Sequence, residues 1–224
     1  MRPFELHTAL ALATESLDRV HWRHHGAGMI QGYITPCLRV HVWHPSLVLP
    51  GMYDAGVIHD HRFDLESVLL VGSMVNREYV TSPAGQTEFD LFEVNCGKAK
   101  SGDDPMLVGH MRADALDCLV HEGECYTFPR GCFHMSIPQH EHDEVVVSLM
   151  KKSDEQEVKA RLLVPVGMKP VHAFKECAGR TAPHHTIVGG MPVVNEKCRA
   201  TPEGMRAVAE LARAALTERM RLLE

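Results

Sequence analysis

Hydrophobic positions in this chain change their period twice. Between Phe4 and Arg19, Leu6, Leu10, Leu12 and Leu17 recur among Ala, Glu and Asp residues, which predicts a first helix over 4–19. From about residue 30 to 165 the text becomes short runs of Val, Ile, Thr, Phe and Tyr cut by Gly, Pro, Asn and Asp, the punctuation of an all-β region. The runs predict strands at Leu38 to Trp43, Ser67 to Gly72, Asn76 to Thr81, Glu88 to Asn95 and Met106 to Met111. Further strands are predicted at Ala115 to His121, Glu124 to Phe128, Phe133 to Ile137, Glu144 to Met150 and Ala160 to Pro165. So many short strands at close spacing imply a sandwich or a closed barrel. The polar run at 97–105 is expected to be an exposed loop. Irregular sequence follows Pro165, and helical spacing returns at Thr201-Pro202, where a proline at the first helical position and Glu203 behind it mark a helix start. Met205, Val208, Leu211, Ala212, Ala215 and Leu222 then give a final amphipathic helix.

Composition narrows the setting. A chain of 224 residues suits one domain, with a β core at about 36–165, an N-terminal helical extension at 1–35 and a C-terminal extension and helix at 166–224. Its 45% hydrophobic and 23% charged residues fall in the ordinary globular range. A net charge of -6 without any Lys/Arg run argues against nucleic acid as a partner. No apolar stretch approaches the roughly 20 residues of a membrane helix, and the apolar run near the N-terminus is too short for a signal peptide, so a cytoplasmic protein is expected. Seven cysteines, an odd number with no C-x-x-C pair, speak against a disulfide framework and a structural zinc site. Cys125 and Cys132 are read as small buried hydrophobes. The sixteen histidines are the compositional oddity.

Candidate chemistry concentrates in I-H-D-H-R-F-D-L-E, Ile58 to Glu66. Residues two apart on a strand share a face, so His59 and His61 can reach one ion. Glu66 lies at an odd separation from His61 and would point away unless a turn within Arg62 to Leu65 brings it back; Asp64 is the nearest alternative carboxylate, more readily a turn residue. Far downstream, a Pro-x-Gly turn at Pro129 to Gly131 precedes His134. Three histidines with one carboxylate are the nitrogen and oxygen donors preferred by Fe(II), Mn(II), Ni(II), Co(II) or Zn(II). With Glu66 bound the ion keeps one net positive charge, without it two. Arg62 and Arg130 flank these elements and are the arginines placed to bind a substrate carboxylate. Tyr126, Phe128 and Met135 read as packing. His140 with His142, His184 with His185, and the cluster His21 to His25 read as loop or surface imidazoles, with a lid over the site as the second reading.

These residues resemble the two motifs of the cupins. His59, His61, Glu66 and Gly72 follow the first, with one residue fewer before the closing glycine and no leading glycine at the expected distance. Gly123, Pro129, Gly131 and His134 follow the second, with Pro138 where the motif closes on Asn. The resemblance covers roughly residues 50 to 150. It implies an RmlC-like double-stranded β-helix, a jelly-roll barrel, with His59, His61, Glu66 and His134 as ligands of one divalent transition metal, Fe(II) favoured over Zn, Ni or Mn. There is also a distant similarity to thiol dioxygenases, but their S-x-H-x-Y run is here Ser148-Leu149-Met150-Lys151-Lys152, and Glu66 stands where some of them place a crosslinking cysteine.

The expectation drawn from this is a mononuclear non-haem iron oxygenase acting on a small, anionic substrate, with Glu66, Arg62 and Arg130 as catalytic residues. The alternatives are non-redox lyase, isomerase or hydrolase chemistry, and a non-catalytic small-ligand-binding cupin. A homodimer is expected if Met205, Leu211, Met220 and Leu223 of the last helix act as an arm.

Overall fold

The computed structural model describes residues 5–25, 27–48, 58–94, 105–139, 144–168, 185–188, 191–194 and 201–223. The elements in chain order are α1 (Leu6–Ser16), β1 (Trp22–His25), β2 (Met29–Thr35), β3 (Leu38–Trp43), β4 (Ile58–His59), β5 (Asp64–Val71), β6 (Ser73–Thr81) and β7 (Thr87–Val94). They continue with β8 (Met106–His121), β9 (Cys125–Phe128), β10 (Phe133–Gln139), β11 (Val146–Ser153), β12 (Ala160–Pro165), β13 (His185–Val188), β14 (Met191–Val194) and α2 (Pro202–Leu223).

Two antiparallel sheets carry the fold. The first runs β1-β2-β3-β11-β5-β9. The second runs β10-β4-β12-β7-β8-β6, and β6 pairs again with β10, so its hydrogen-bonded order returns to its start. A separate hairpin joins β13 to β14. The mostly-β expectation holds. Two predicted strands, Met106 to Met111 and Ala115 to His121, are one long β8 that pairs with both β6 and β7. The N-terminal stretch needs a correction: α1 covers only part of 1–35, and Trp22–His25 and Met29–Thr35 are strands of the first sheet. They were missed because W-R-H-H and M-I-Q-G-Y-I-T carry polar and glycine positions that obscure alternation. The 97–105 loop and His140, His142 and His184 lie largely or wholly outside the described residues.

The first sheet is buried on both faces, which explains its hydrophobic runs. Val40 and Val42 of β3, Val68 and Leu70 of β5, and Val147 and Leu149 of β11 face a cluster shared with α1 and α2. On α2, Val208, Ala209, Ala212 and Leu216 are buried against that cluster, and Thr201 Oγ1 accepts from Gly204 N–H at the helix start. Met205 and Met220, two of the four proposed arm residues, pack on the chain's own core, while Leu211 and Leu223 are exposed. The opposite face of the sheet supplies Met29, Trp43, Leu69 and Val146 to a cluster with Met74 and Val120 of the second sheet. The two sheets therefore pack face to face, with helices covering the back of one. Gly72 alone connects β5 to β6 at φ +83, and a Cβ there would meet Val146 Cγ2 at 3.0 Å, so both backbone sign and space require glycine.

Leu149 sits fully buried in the layer between the first sheet and the helices. Truncation by Leu149→Ala is expected to lower unfolding free energy in urea by about 2–5 kcal/mol, without moving the site described next.

Candidate metal site

His59, His61 and His134 converge between the sheets, with their ligand-capable atoms all within 4.8 Å of one another; His134 is buried and the other two are half-buried. Ring centroids are 4.8 Å apart for His59 and His61, 4.7 Å for His59 and His134, and 5.0 Å for His61 and His134. Each imidazole is placed by a different device. His59 ends β4 directly opposite His134 of β10 and Leu162 of β12. His61 lies beyond the two residues of β4, so strand geometry alone does not set it.

Asp60, between them, sets it instead. The backbone N–H of Asp60 donates to Arg161 O at 3.0 Å, and its buried carboxylate accepts from Arg161 N–H at 2.6 Å and Nε at 2.7 Å. Arg161 Nη2 completes the pair at 2.6 Å. The Asp60 side chain is thereby engaged with β12, which leaves both neighbouring imidazoles to the inner face. The Arg161 guanidinium also lies 4.9 Å from the Phe133 ring centroid, one residue before His134.

The Pro129-Arg130-Gly131-Cys132 turn aims the third ligand. Cys132 N–H donates to Pro129 O at 3.1 Å, Gly131 takes φ +79, and Gly131 N–H donates to His61 O at 3.0 Å. A left-handed glycine at the third position of such a turn is the chemistry of type II. Asp64 braces it by accepting from Arg130 N–H at 2.7 Å. Asp64 is therefore a turn support, as the sequence suggested. His134 Nδ1 bonds to Cys132 O at 3.1 Å; the carbonyl can only accept, so Nδ1 carries the proton and Nε2 keeps its lone pair. Phe128 stacks on His134 at 3.8 Å and Phe63 on His61 at 4.6 Å, fixing both ring planes.

These donors fit a divalent transition ion. Burial holds His61 and His134 well below the ordinary histidine range, with His59 adding to the effect, so both offer neutral imidazole. Bonds of about 2.0–2.1 Å place neighbouring ligand atoms about 2.9–3.4 Å apart, so atoms as far as 4.8 Å apart close by roughly 1.5–2 Å through side-chain rotation.

Glu66 is not brought to the histidines. On β5, Leu65 lines the central cavity and pairs with Phe128, which lines it too, whereas the alternate residue Glu66 pairs with Thr127 and Lys151. The turn at Arg62 to Leu65 does not reverse that parity, so Glu66 faces away. Arg62 is paired with Glu155 at 2.9 Å, and Arg130 is exposed with Nη1 on Asp154 O at 3.2 Å; neither lines the cavity. Tyr126, Phe128 and Met135, read as packing, all line it. Cys125 is exposed rather than buried, and burial with Glu78 pushes the half-buried Cys132 thiol up to about 12.

The cavity, about 40 Å³, also contains residues the sequence reading passed over. Arg39, His41 and Trp43, alternate positions of β3, line it together with Gln31 and His25. The signal was present in L-R-V-H-V-W, where Val40 and Val42 mark one face and three polar or amphipathic side chains the other. His25 likewise belongs to the site rather than to a surface cluster.

Asp60→Asn is expected to weaken divalent-metal affinity on the order of 10-fold or more, measured by competition with a chromophoric chelator, because it loosens both histidines at once. A pH effect follows from His41, which burial and then Arg39 hold well below 6.5. It stays neutral in the fold and gains a proton on unfolding, so its stability contribution is complete above 6.5 and is lost as pH falls below it. Urea titrations above and below that value should show the loss, and His41→Asn should reduce it.

No family model and no curated protein matches the chain. Among solved structures, it is similar to the CENP-C cupin domain of Drosophila melanogaster, at 13% identity and TM-score 0.33, covering 61% of this chain and 77% of that one. Drosophila melanogaster CENP-C bound to CAL1 gives 12% identity and TM-score 0.32, covering 61% of this chain and 78% of that one. An oxalate decarboxylase variant of Bacillus subtilis gives 17% identity and TM-score 0.32, covering 62% of this chain but only 28% of that one.

Proposed function

We infer that this protein is a metal-dependent cupin enzyme of the jelly-roll type, in which His59, His61 and His134 hold one divalent ion beside a small, partly open cavity. The observation that carries the reading is the convergence of three imidazoles, His59 of β4, His61 two residues further on and His134 of β10, on a cavity of about 40 Å³ lined by both sheets. The agreement of His59, His61, Gly123, Pro129, Gly131 and His134 with the cupin motifs supports it.

Three neutral ligands leave two or three coordination positions and both charges of the ion unspent, which suits an O2-activating Fe(II) centre acting on a small substrate. The rest is the work of the chain. Phe63 and Phe128 hold the His61 and His134 rings in plane, and the Cys132 carbonyl fixes the tautomer of His134. Burial pushes the Tyr126 phenol up, so at neutral pH it is a protonated donor on the cavity wall. Leu65, Met135 and Met150 exclude bulk water. The cavity holds about three water-sized groups, since one needs roughly 10–15 Å³, so the reacting part of the substrate is small.

Elemental analysis of protein purified without a metal-affinity tag tests this. Close to one metal per chain is expected in wild type, lost in His61→Ala and His134→Ala and retained in Glu66→Ala. Iron directs substrate screens to O2 consumption, zinc overturns the oxygenase assignment in favour of Lewis-acid chemistry, and no metal under any loading condition overturns the whole reading.

A further inference from the structure

Arg39 is the charge in the site that a metal centre alone does not explain. It is 8% exposed, and its Nη1 donates to Gln31 Oε1 at 3.1 Å and Tyr33 Oη at 3.3 Å, a neutral amide and a neutral phenol. The guanidinium lies over the Tyr33 and Phe63 rings, with centroids 5.1 and 5.2 Å away. Among the described residues no carboxylate forms an ion pair with it, and Nε and Nη2 bond to no protein acceptor. The acid whose field it feels, Glu155, is already held by Lys152 at 2.6 Å and Arg62 at 2.9 Å.

A guanidinium cannot escape burial by losing its proton, so a buried one without a counter-charge destabilises the fold. The same chain shows what a structural arginine looks like: Arg161 is matched to the Asp60 carboxylate through three donors. Arg39 has the burial without the carboxylate. Two ring nitrogens beside it, Nε2 of His41 and Nε1 of Trp43, have no hydrogen-bond partner among the described residues, and their side chains are 6% and 3% exposed and line the same cavity. Among the described residues, no aspartate or glutamate lines that cavity. Phe63 connects its two ends, stacking on His61 and lying under Arg39.

We propose that the β3 row Arg39, His41 and Trp43 is an anion-recognition wall, and that the ligand is a small carboxylate, of formate or acetate size at its reacting end, held between Arg39 and the three-histidine centre. The metal end of this arrangement rests on the function inferred above; the Arg39 end does not. A carboxylate supplies the missing counter-charge, accepts bidentately from the guanidinium, and carries a second oxygen toward the histidines. The limited volume restricts the part of the ligand that enters to a small group.

The test is a titration of wild type, metal-loaded and metal-free, with formate and with acetate against chloride at matched ionic strength. Melting temperature and tryptophan fluorescence are the readouts, Trp43 being one of two tryptophans. Carboxylate is expected to raise the melting temperature of both forms, more in the loaded one. Arg39→Gln should lower affinity at least 10-fold while its own melting temperature stays equal or rises, which a structural arginine would not do. Arg39→Lys, which keeps the charge but not the fork, should bind with intermediate affinity, and Arg112→Gln on the outer surface should bind as wild type. Carboxylate binding that is absent in wild type, or unchanged in Arg39→Gln and Arg39→Lys, overturns the proposal. Should Arg39→Gln not fold, the wild-type and Arg39→Lys titrations decide. Loss of metal in the histidine variants with Arg39-dependent binding intact in the metal-free protein separates this proposal from the metal reading.

Discussion

The Asp60–Arg161 pair is the contact on which the site depends. One carboxylate, buried between two histidines, receives both a backbone N–H and a guanidinium from β12, and that arginine reaches on to the ring of Phe133 beside the third histidine. Two chain segments far apart in sequence are thereby held by one side chain. A buried carboxylate is tolerated because every interaction that would be lost from water is replaced, and by a charged donor. The same pair explains why the residue between the histidines is an aspartate: its outward anchorage is what turns both imidazoles inward at the end of a strand only two residues long.

Around that anchor the molecule separates its two kinds of arginine. Arg161 is spent on structure. Arg39, equally a part of the interior, is surrounded by amide, phenol and aromatic faces that stabilise a cation without neutralising it. Burial keeps the His61 and His134 imidazoles neutral, so among the described residues the Arg39 guanidinium, with no acidic lining beside it, makes the cavity electropositive before any ion enters, and more so with one. The aromatic clamps Phe63 and Phe128 add rigidity, so the donors are held in position ahead of ligand arrival.

The first sheet connects this chemistry to stability. Its back face is covered by α1 and α2 through aliphatic side chains, while its front face gives Arg39, His41, Gln31 and Tyr126 to the cavity. Burial on both faces allows polar residues to sit in the interior of an otherwise aliphatic sheet, because the helices supply the apolar contact that the front face gives up. The C-terminal helix is therefore linked to the site indirectly, by packing behind β3, β5 and β11.

Much of this was legible in the sequence. The spacing of His59 and His61, and the proline and glycine ahead of His134, are local features; turn chemistry and strand alternation fix them within a few residues. Alternation also exposed most strands, and Thr201-Pro202 the last helix. Tertiary structure decided the rest. Whether Glu66 reached the histidines depended on how the chain entered β5, a one-residue question of parity that spacing cannot answer and that pairing with Thr127 and Lys151 settles. Arg62 and Arg130 stood near the ligands in sequence, yet ion pairing and solvent took them away. Arg39 stood far away, and only the pairing of β3 between β2 and β11, with helices behind it, turned its face inward. Sequence determined which residues can bind a metal; the packing of two sheets, a long-range event that no local pattern encodes, determined which charge they share the cavity with.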